Sequence, residues 1–267
     1  MQLWTPLFAK TLIPTFVVMT VIAIVMGYLM RNKDEKYKMI PIQVIACILL
    51  VLEIAKQIWG FATGYSLYWI PLHFCSLFVY MLPFMAFYKG KYKDAVRVAT
   101  EAACCMLFLF MCVYPTLIYS EYDILHIFSG EFICFHTVVF HNLVLFEFVL
   151  ILAMRIINFK AKRDILVVLC TFAVFCLISG TMANVLQTNF NSFYYCQVPP
   201  IENLRVSLNS SMGGFGQFVY VLLISAGTIS VALVSYGLLR FINFVINKIT
   251  TKKNKQPKED KAQAKAE

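Results

Sequence analysis

Seven stretches of the chain are apolar for long enough to cross a bilayer, and short charged clusters separate them. They run at about 10–30, 39–59, 69–88, 98–118, 131–154, 165–186 and 215–246. A spanning helix needs roughly 20 predominantly apolar residues, so each stretch predicts one membrane helix. A transmembrane β-barrel would show short segments alternating polar and apolar, and no such alternation is found. The first stretch is too long for the apolar region of a signal peptide, and no small-residue cleavage motif follows it before Arg31. The pattern predicts an all-α membrane protein: seven transmembrane helices within residues 1–248, then a basic, disordered cytoplasmic tail over 249–267.

The connections between the stretches give a direction. The first holds Arg31, Lys33, Lys36 and Lys38, the third Lys89, Lys91, Lys93 and Arg97, and the fifth Arg155, Lys160, Lys162 and Arg163. The second and fourth hold no lysine or arginine, and the sixth holds only Arg205. Basic loops stay on the cytoplasmic side, so this alternation predicts an N-terminus outside, a C-terminus in the cytoplasm, and a multi-pass protein of the cell membrane. No internal repeat is found, which leaves an inverted-repeat transporter without support. The sixth connection, about 187–214, is long enough to fold back over the outer face, and it carries the sequon Asn209-Ser210-Ser211.

Composition agrees with the pattern. Hydrophobic residues make up 60% of the 267 and charged residues 14%, well apart from a soluble domain. The net charge of +9 sits at span ends and in the tail, so it points to membrane lipids as the partner rather than to nucleic acid. Most of the nine cysteines lie inside apolar runs, where a thiol packs as a small hydrophobe. There is no CxxC pair and no zinc framework, so neither a metal nor a cofactor is predicted.

The polar residues within the spans change the picture more. Ionisable groups at membrane depth are costly and turn toward a protein interior or a wet cavity. In the second span Glu53 precedes Lys56 by three residues and Gln57 by four, so the three share a helix face and can pair. His73 and Cys75 fall near the outer end of the third span, and His136 and His141 lie on the fifth. Asn184, Thr188 and Asn189 close the sixth. Four helices thus bring hydrogen-bonding groups to a similar depth on the outer side, which predicts one pocket there; Glu101 and Glu147 fall elsewhere. For chemistry the candidate is cysteine with histidine, in which an imidazole takes the thiol proton and the thiolate attacks an acyl carbonyl. His73 and Cys75, two apart, would stand ~200° apart on a regular helix, so a base for Cys75 is expected from His136 or His141 on another helix. Asn184 could orient that base or donate to an oxyanion.

The string Ile70-Pro71-Leu72-His73-Phe74-Cys75, with Glu53-Ile54 one span earlier, resembles the YwaF-type integral membrane proteins of bacteria. Asn184 followed by Thr188-Asn189-Phe190, Pro115, and the histidine-bearing fifth span add to the resemblance, which reaches from about residue 50 to 195. That family is distantly similar to eukaryotic transmembrane phospholipid acyltransferases in which a cysteine and a histidine are implicated. The resemblance implies a seven-span fold and acyl chemistry on lipid, as an acyltransferase or hydrolase, with Cys75 as nucleophile and His136 or His141 as its partner. The rival reading is a transporter or small-ligand binder that uses Glu53, Lys56 and the histidines as substrate or proton sites.

Overall fold

The computed structural model describes residues 5–119 and 124–263, and among them every regular element is helical. In chain order these are α1 (Pro6–Met30), α2 (Glu35–Thr63), α3 (Leu77–Phe87), α4 (Lys93–Val113), α5 (Pro115–Tyr119), α6 (Phe132–Met154), α7 (Ala161–Val185), α8 (Pro199–Met212) and α9 (Gly214–Gln263). Single 3-10 segments at Leu67–Trp69 and Ile124–Phe128 complete the set. Six helices, α1, α2, α4, α6, α7 and α9, are long and apolar enough to cross a membrane. The backbone of α9 stays helical through Gln263, so the expected basic tail begins inside that helix; residues 264–267 lie outside the described residues.

α4 is the centre of the bundle and packs against α3, α6, α7 and α9. Its sequence makes that place available: Ala95, Ala99, Ala102, Ala103, Cys104 and Cys105 are all buried, and small side chains let neighbouring backbones close in. α1 is peripheral and lies along α6. Its outward face carries Val17, Val18, Val21, Ile22 and Val25, each about half exposed, as a lipid-facing surface requires. Where α1 meets α6, a Cβ on Gly27 would come 2.4 Å from the Ala153 Cβ, so only glycine permits this approach.

Two expected spans are not regular helices throughout. The third was expected as one helix over 69–88, with Pro71 in its first turn. Residues 70–76 instead form bends and turns, and helix begins only at Leu77, leaving α3 with 11 residues. Non-helical backbone at membrane depth survives only where protein groups satisfy it, and such groups are present here. Ser179 Oγ donates to the Leu72 carbonyl at 2.8 Å, Asn191 Nδ2 donates to the same carbonyl at 2.8 Å, and Asn191 Oδ1 accepts from the Phe74 N–H at 2.6 Å. At the far end of α3, Gln43 Nε2 of α2 donates to the Ala86 carbonyl. The fourth span was expected over 98–118; α4 stops at Val113 and α5 resumes at Pro115. Proline disfavours helical geometry in the residue before it, and Tyr114 accordingly sits at φ −143°, ψ 66°.

The sixth connection is ordered around α8, which opens on Pro199 and packs on α9. Glu202 accepts from the Cys196 N–H at 2.8 Å and from Arg205 Nε at 2.9 Å, tying the loop to the helix. The Arg205 guanidinium holds the Glu202 carboxyl below the usual glutamate value. A depressed carboxyl stabilises above its unfolded value and loses that contribution as pH falls through its folded value. Acidification below the ordinary carboxylate range is therefore expected to loosen this loop, read as faster limited proteolysis near residues 196–205; Glu202→Gln should cleave at the acid rate already at neutral pH.

Candidate functional site

Glu53 is the organising group. It lies on the buried face of α2, with 5% of its surface exposed, and it collects contacts from two helices. Lys56 Nζ is 2.8 Å from Glu53 Oε1, Gln57 Nε2 donates to the same oxygen at 2.8 Å, and His136 Nε2 of α6 stands 3.7 Å from Oε2. The i, i+3 and i, i+4 spacing accounts for the first two; only the packing of α2 on α6 supplies the third. The last distance exceeds a hydrogen bond and is an electrostatic contact. Gln57 extends the network outward, donating to the Trp69 carbonyl at 2.8 Å and accepting from the Tyr65 hydroxyl at 2.7 Å.

The irregular segment 70–76 brings His73 and Cys75 against this cluster. His73 Nε2 lies 2.9 Å from the Tyr68 carbonyl. A carbonyl can only accept, so Nε2 carries the proton and Nδ1 keeps the lone pair. The His73 ring also packs at 4.3 Å from Tyr68 and 5.2 Å from Phe190. Lys56 is within electrostatic reach of His73, Cys75, His136 and His141, which makes it the common neighbour of all four expected catalytic candidates. Because residues 70–76 are turns rather than helix, the expected ~200° separation of His73 and Cys75 does not apply.

His141 lies one layer deeper. Its Nδ1 is 2.6 Å from the Thr137 carbonyl, which fixes the proton on Nδ1, and its Nε2 is buried without a partner. The ring meets Tyr119 edge-on at 5.6 Å. The Tyr119 hydroxyl is likewise buried and unpartnered, and Tyr119 is within electrostatic reach of Cys75. The His141 imidazole and the Tyr119 phenol are thus in ring contact, and Cys75 lies within electrostatic reach of Tyr119.

The residues expected from the end of the sixth span take other partners. Asn184 donates to the carbonyls of Gly180 and Phe193 and accepts from Gln217 of α9 at 2.9 Å. Thr188 donates to the Leu186 carbonyl, and Asn189 accepts from the Tyr195 N–H at 3.4 Å. Through Phe193 and Gln217, Asn184 ties the 187–198 loop and α9 to α7, while the Thr188 and Asn189 bonds are local. The residue of this loop that reaches the cysteine segment is Asn191, together with Ser179; neither sequence position carried a spacing signal. Tyr65 and Tyr119 also had none.

Asn191 has φ +53°, a left-handed conformation that asparagine tolerates better than most residues. This gives a clean test of its role. Asn191→Gly relieves the backbone while removing three side-chain bonds, and it is expected to destabilise the protein by about 2–3 kcal/mol at roughly 1 kcal/mol per bond. Asn191→Ala adds backbone strain of about 1 kcal/mol. Thermal unfolding in nanodiscs reads both, and Cys75 should become more reactive to a maleimide in each as its segment loosens.

Six membrane-length apolar helices around a buried polar cluster define a multi-pass helical membrane protein. The chain belongs to the TMEM164 family, whose family model matches residues 3–235, nearly its whole length. No curated protein and no solved structure matches the chain.

Proposed function

We propose that this protein is an intramembrane acyltransferase or hydrolase acting on lipid acyl groups, with Cys75 as its nucleophile. What supports the reading is the ring contact of His141 with Tyr119, whose respective Nε2 and hydroxyl are both buried and unpartnered, together with the electrostatic reach of Lys56 to Cys75 and His141. In the first half-reaction, Cys75 Sγ bonds to the carbonyl carbon of an acyl ester while His141 Nε2 takes the thiol proton. The ester C–O bond breaks, and the imidazolium returns the proton to the leaving alkoxide. In the second, the hydroxyl of an acceptor lipid, or water, attacks the thioester, gives its proton to His141, and releases the thiol. The Tyr119 hydroxyl donates to the developing oxyanion in both. The Glu53–Lys56–His136 group holds the polar end of the substrate near the thiol.

The reading includes the topology. The 11-residue α3 with its preceding irregular segment serves as a seventh crossing, the N-terminus lies outside, the site faces the outer leaflet, and the basic residues beyond 248 form a cytoplasmic tail against anionic headgroups. It keeps the YwaF-type likeness of the residue 70–75 string as a relation within this wider set. The purified protein in nanodiscs containing radiolabelled phospholipid tests it: a hydroxylamine-sensitive acyl adduct should form on the Cys75 peptide. Absence of any adduct, with the acyl profile of the lipid unchanged, overturns the reading. The buried Glu53–Lys56 pair with His136 favours a rival, a small-ligand or ion-coupled transporter. In that case Glu53→Gln abolishes uptake and Cys75→Ala spares it.

A further inference from the structure

Glu101 of α4 and Glu147 of α6 form a second polar site, apart from the cysteine cluster. Glu101 lies eight residues from the start of α4 at Lys93 and Glu147 seven from the end of α6 at Met154, so each stands roughly 10–12 Å along its helix from the Lys93 end of the bundle. The two helices pack together, and the carboxyls are within electrostatic reach of one another. Both residues are 0% exposed. None of the four carboxyl oxygens has a hydrogen-bond partner. The residues next to them along the chain, Ala102 and Ala103 on α4 and Phe148 on α6, belong to the buried hydrophobic core, and the Cys104 thiol is within electrostatic reach of both.

One turn nearer the Lys93 end, on the same face of α4 as Glu101, is Arg97. It is 4% exposed; its Nη2 bonds Glu35 at 2.7 Å, while its Nε is buried without a partner. This guanidinium stands between the carboxyl pair and the exposed charges Glu35 and Lys93, which marks the end from which an ion reaches the pair.

Two buried carboxylates with no hydrogen-bond donor to accept from would each carry an uncompensated charge, and would repel one another in a medium that solvates neither. A proton removes that charge from a carboxyl held away from water and from donors. We infer that Glu101 and Glu147 form an intramembrane proton-binding site that holds at least one proton at neutral pH and exchanges it through the Arg97 end of the bundle. The bound state is an O–H bond on a carboxyl oxygen, and release returns that proton to water. A metal cation fits less well, since hard cations take six or more oxygens and this pair offers four. Other titratable groups on the elements packed here are engaged elsewhere: Glu53 with Lys56 on α2, Asp164 with Arg163 on α7, and Arg240 over the Tyr236 ring on α9. The Cys104 and Cys105 thiols are titratable neighbours; α6 also carries Cys134, His136 and His141, α4 carries Asp94, and α9 the buried Tyr236 hydroxyl.

Infrared spectroscopy of the full-length protein in nanodiscs tests the site. At neutral pH the wild type should show the carbonyl stretch of a protonated carboxyl in a dry environment. That band should move on 13C-glutamate labelling, persist in Glu53→Gln, and disappear in the double variant E101Q/E147Q. The isotope shift identifies the band as a glutamic acid in the wild type, and the single variants E101Q and E147Q, each expected to alter the band, assign it to this site if the double variant does not fold. A wild-type spectrum without a glutamic acid band overturns the proposal, as does a band unaffected by E101Q/E147Q. A band abolished by added sodium assigns the site to a metal cation and overturns the proton assignment.

Discussion

Cys75→Ala is expected to abolish acyl transfer while leaving the bundle folded. Loss of a covalent nucleophile has no local substitute, so the fall in turnover should be at least ~10³-fold, as for groups that act as a unit in other nucleophilic enzymes. The fold should survive because Cys75 makes no bond that holds segment 70–76; that work belongs to Asn191 and Ser179. The measurement is release of labelled acyl chain to a lysolipid acceptor, together with unfolding temperature. His141→Asn should lower turnover by roughly 10²–10⁴ with little change in KM, the signature of a lost general base. His136→Asn should chiefly raise KM if the Glu53 group holds the substrate's polar end. Normal turnover in Cys75→Ala would end the covalent mechanism.

Lys56→Met is expected to produce the largest loss of stability. Lys56 and Glu53 have side chains only 10% and 6% exposed, so removing the ammonium leaves a buried carboxylate with Gln57 as its one remaining hydrogen-bond donor. Breaking such a pair by deleting one partner costs about 3–5 kcal/mol, because the surviving charge remains desolvated. Replacing both, as in E53Q/K56M, should recover most of the loss, since a neutral pair no longer carries that penalty. A double-mutant cycle by thermal unfolding in nanodiscs measures the coupling. If Lys56→Met alone costs under 1 kcal/mol, Glu53 is not held as a buried ion.

The outer cluster and the deep carboxyl pair solve the same problem differently. Glu53 is paired with donors from its own helix, Lys56 and Gln57. Glu101 and Glu147 have no hydrogen-bond donor at any of their four carboxyl oxygens, so in the proposed site a proton takes the place of a partner. The proposed acyl-transfer site and the proposed proton site can be varied independently, because no hydrogen bond or ion pair links them among the described residues.

How much of this was legible beforehand depends on the range of each interaction. Six of the seven apolar stretches correspond to membrane-length helices, because a helix satisfies its own backbone and its length is counted directly along the chain. The pairing of Glu53 with Lys56 and Gln57 was likewise a matter of helical spacing, fixed within four residues. The break at 70–76 was not legible: Pro71 permits it, but Asn191 and Ser179, more than 100 residues away, supply the bonds that make it stable. The same holds for His136 against Glu53, Tyr119 against His141, and the packing of α4 on α6 that brings Glu101 and Glu147 within electrostatic reach. Sequence by itself determined the helices and what each carries on its faces. Only the tertiary structure decided which faces meet, because in a membrane that choice rests on close packing and cross-helix polar contacts, and neither leaves a period in the chain.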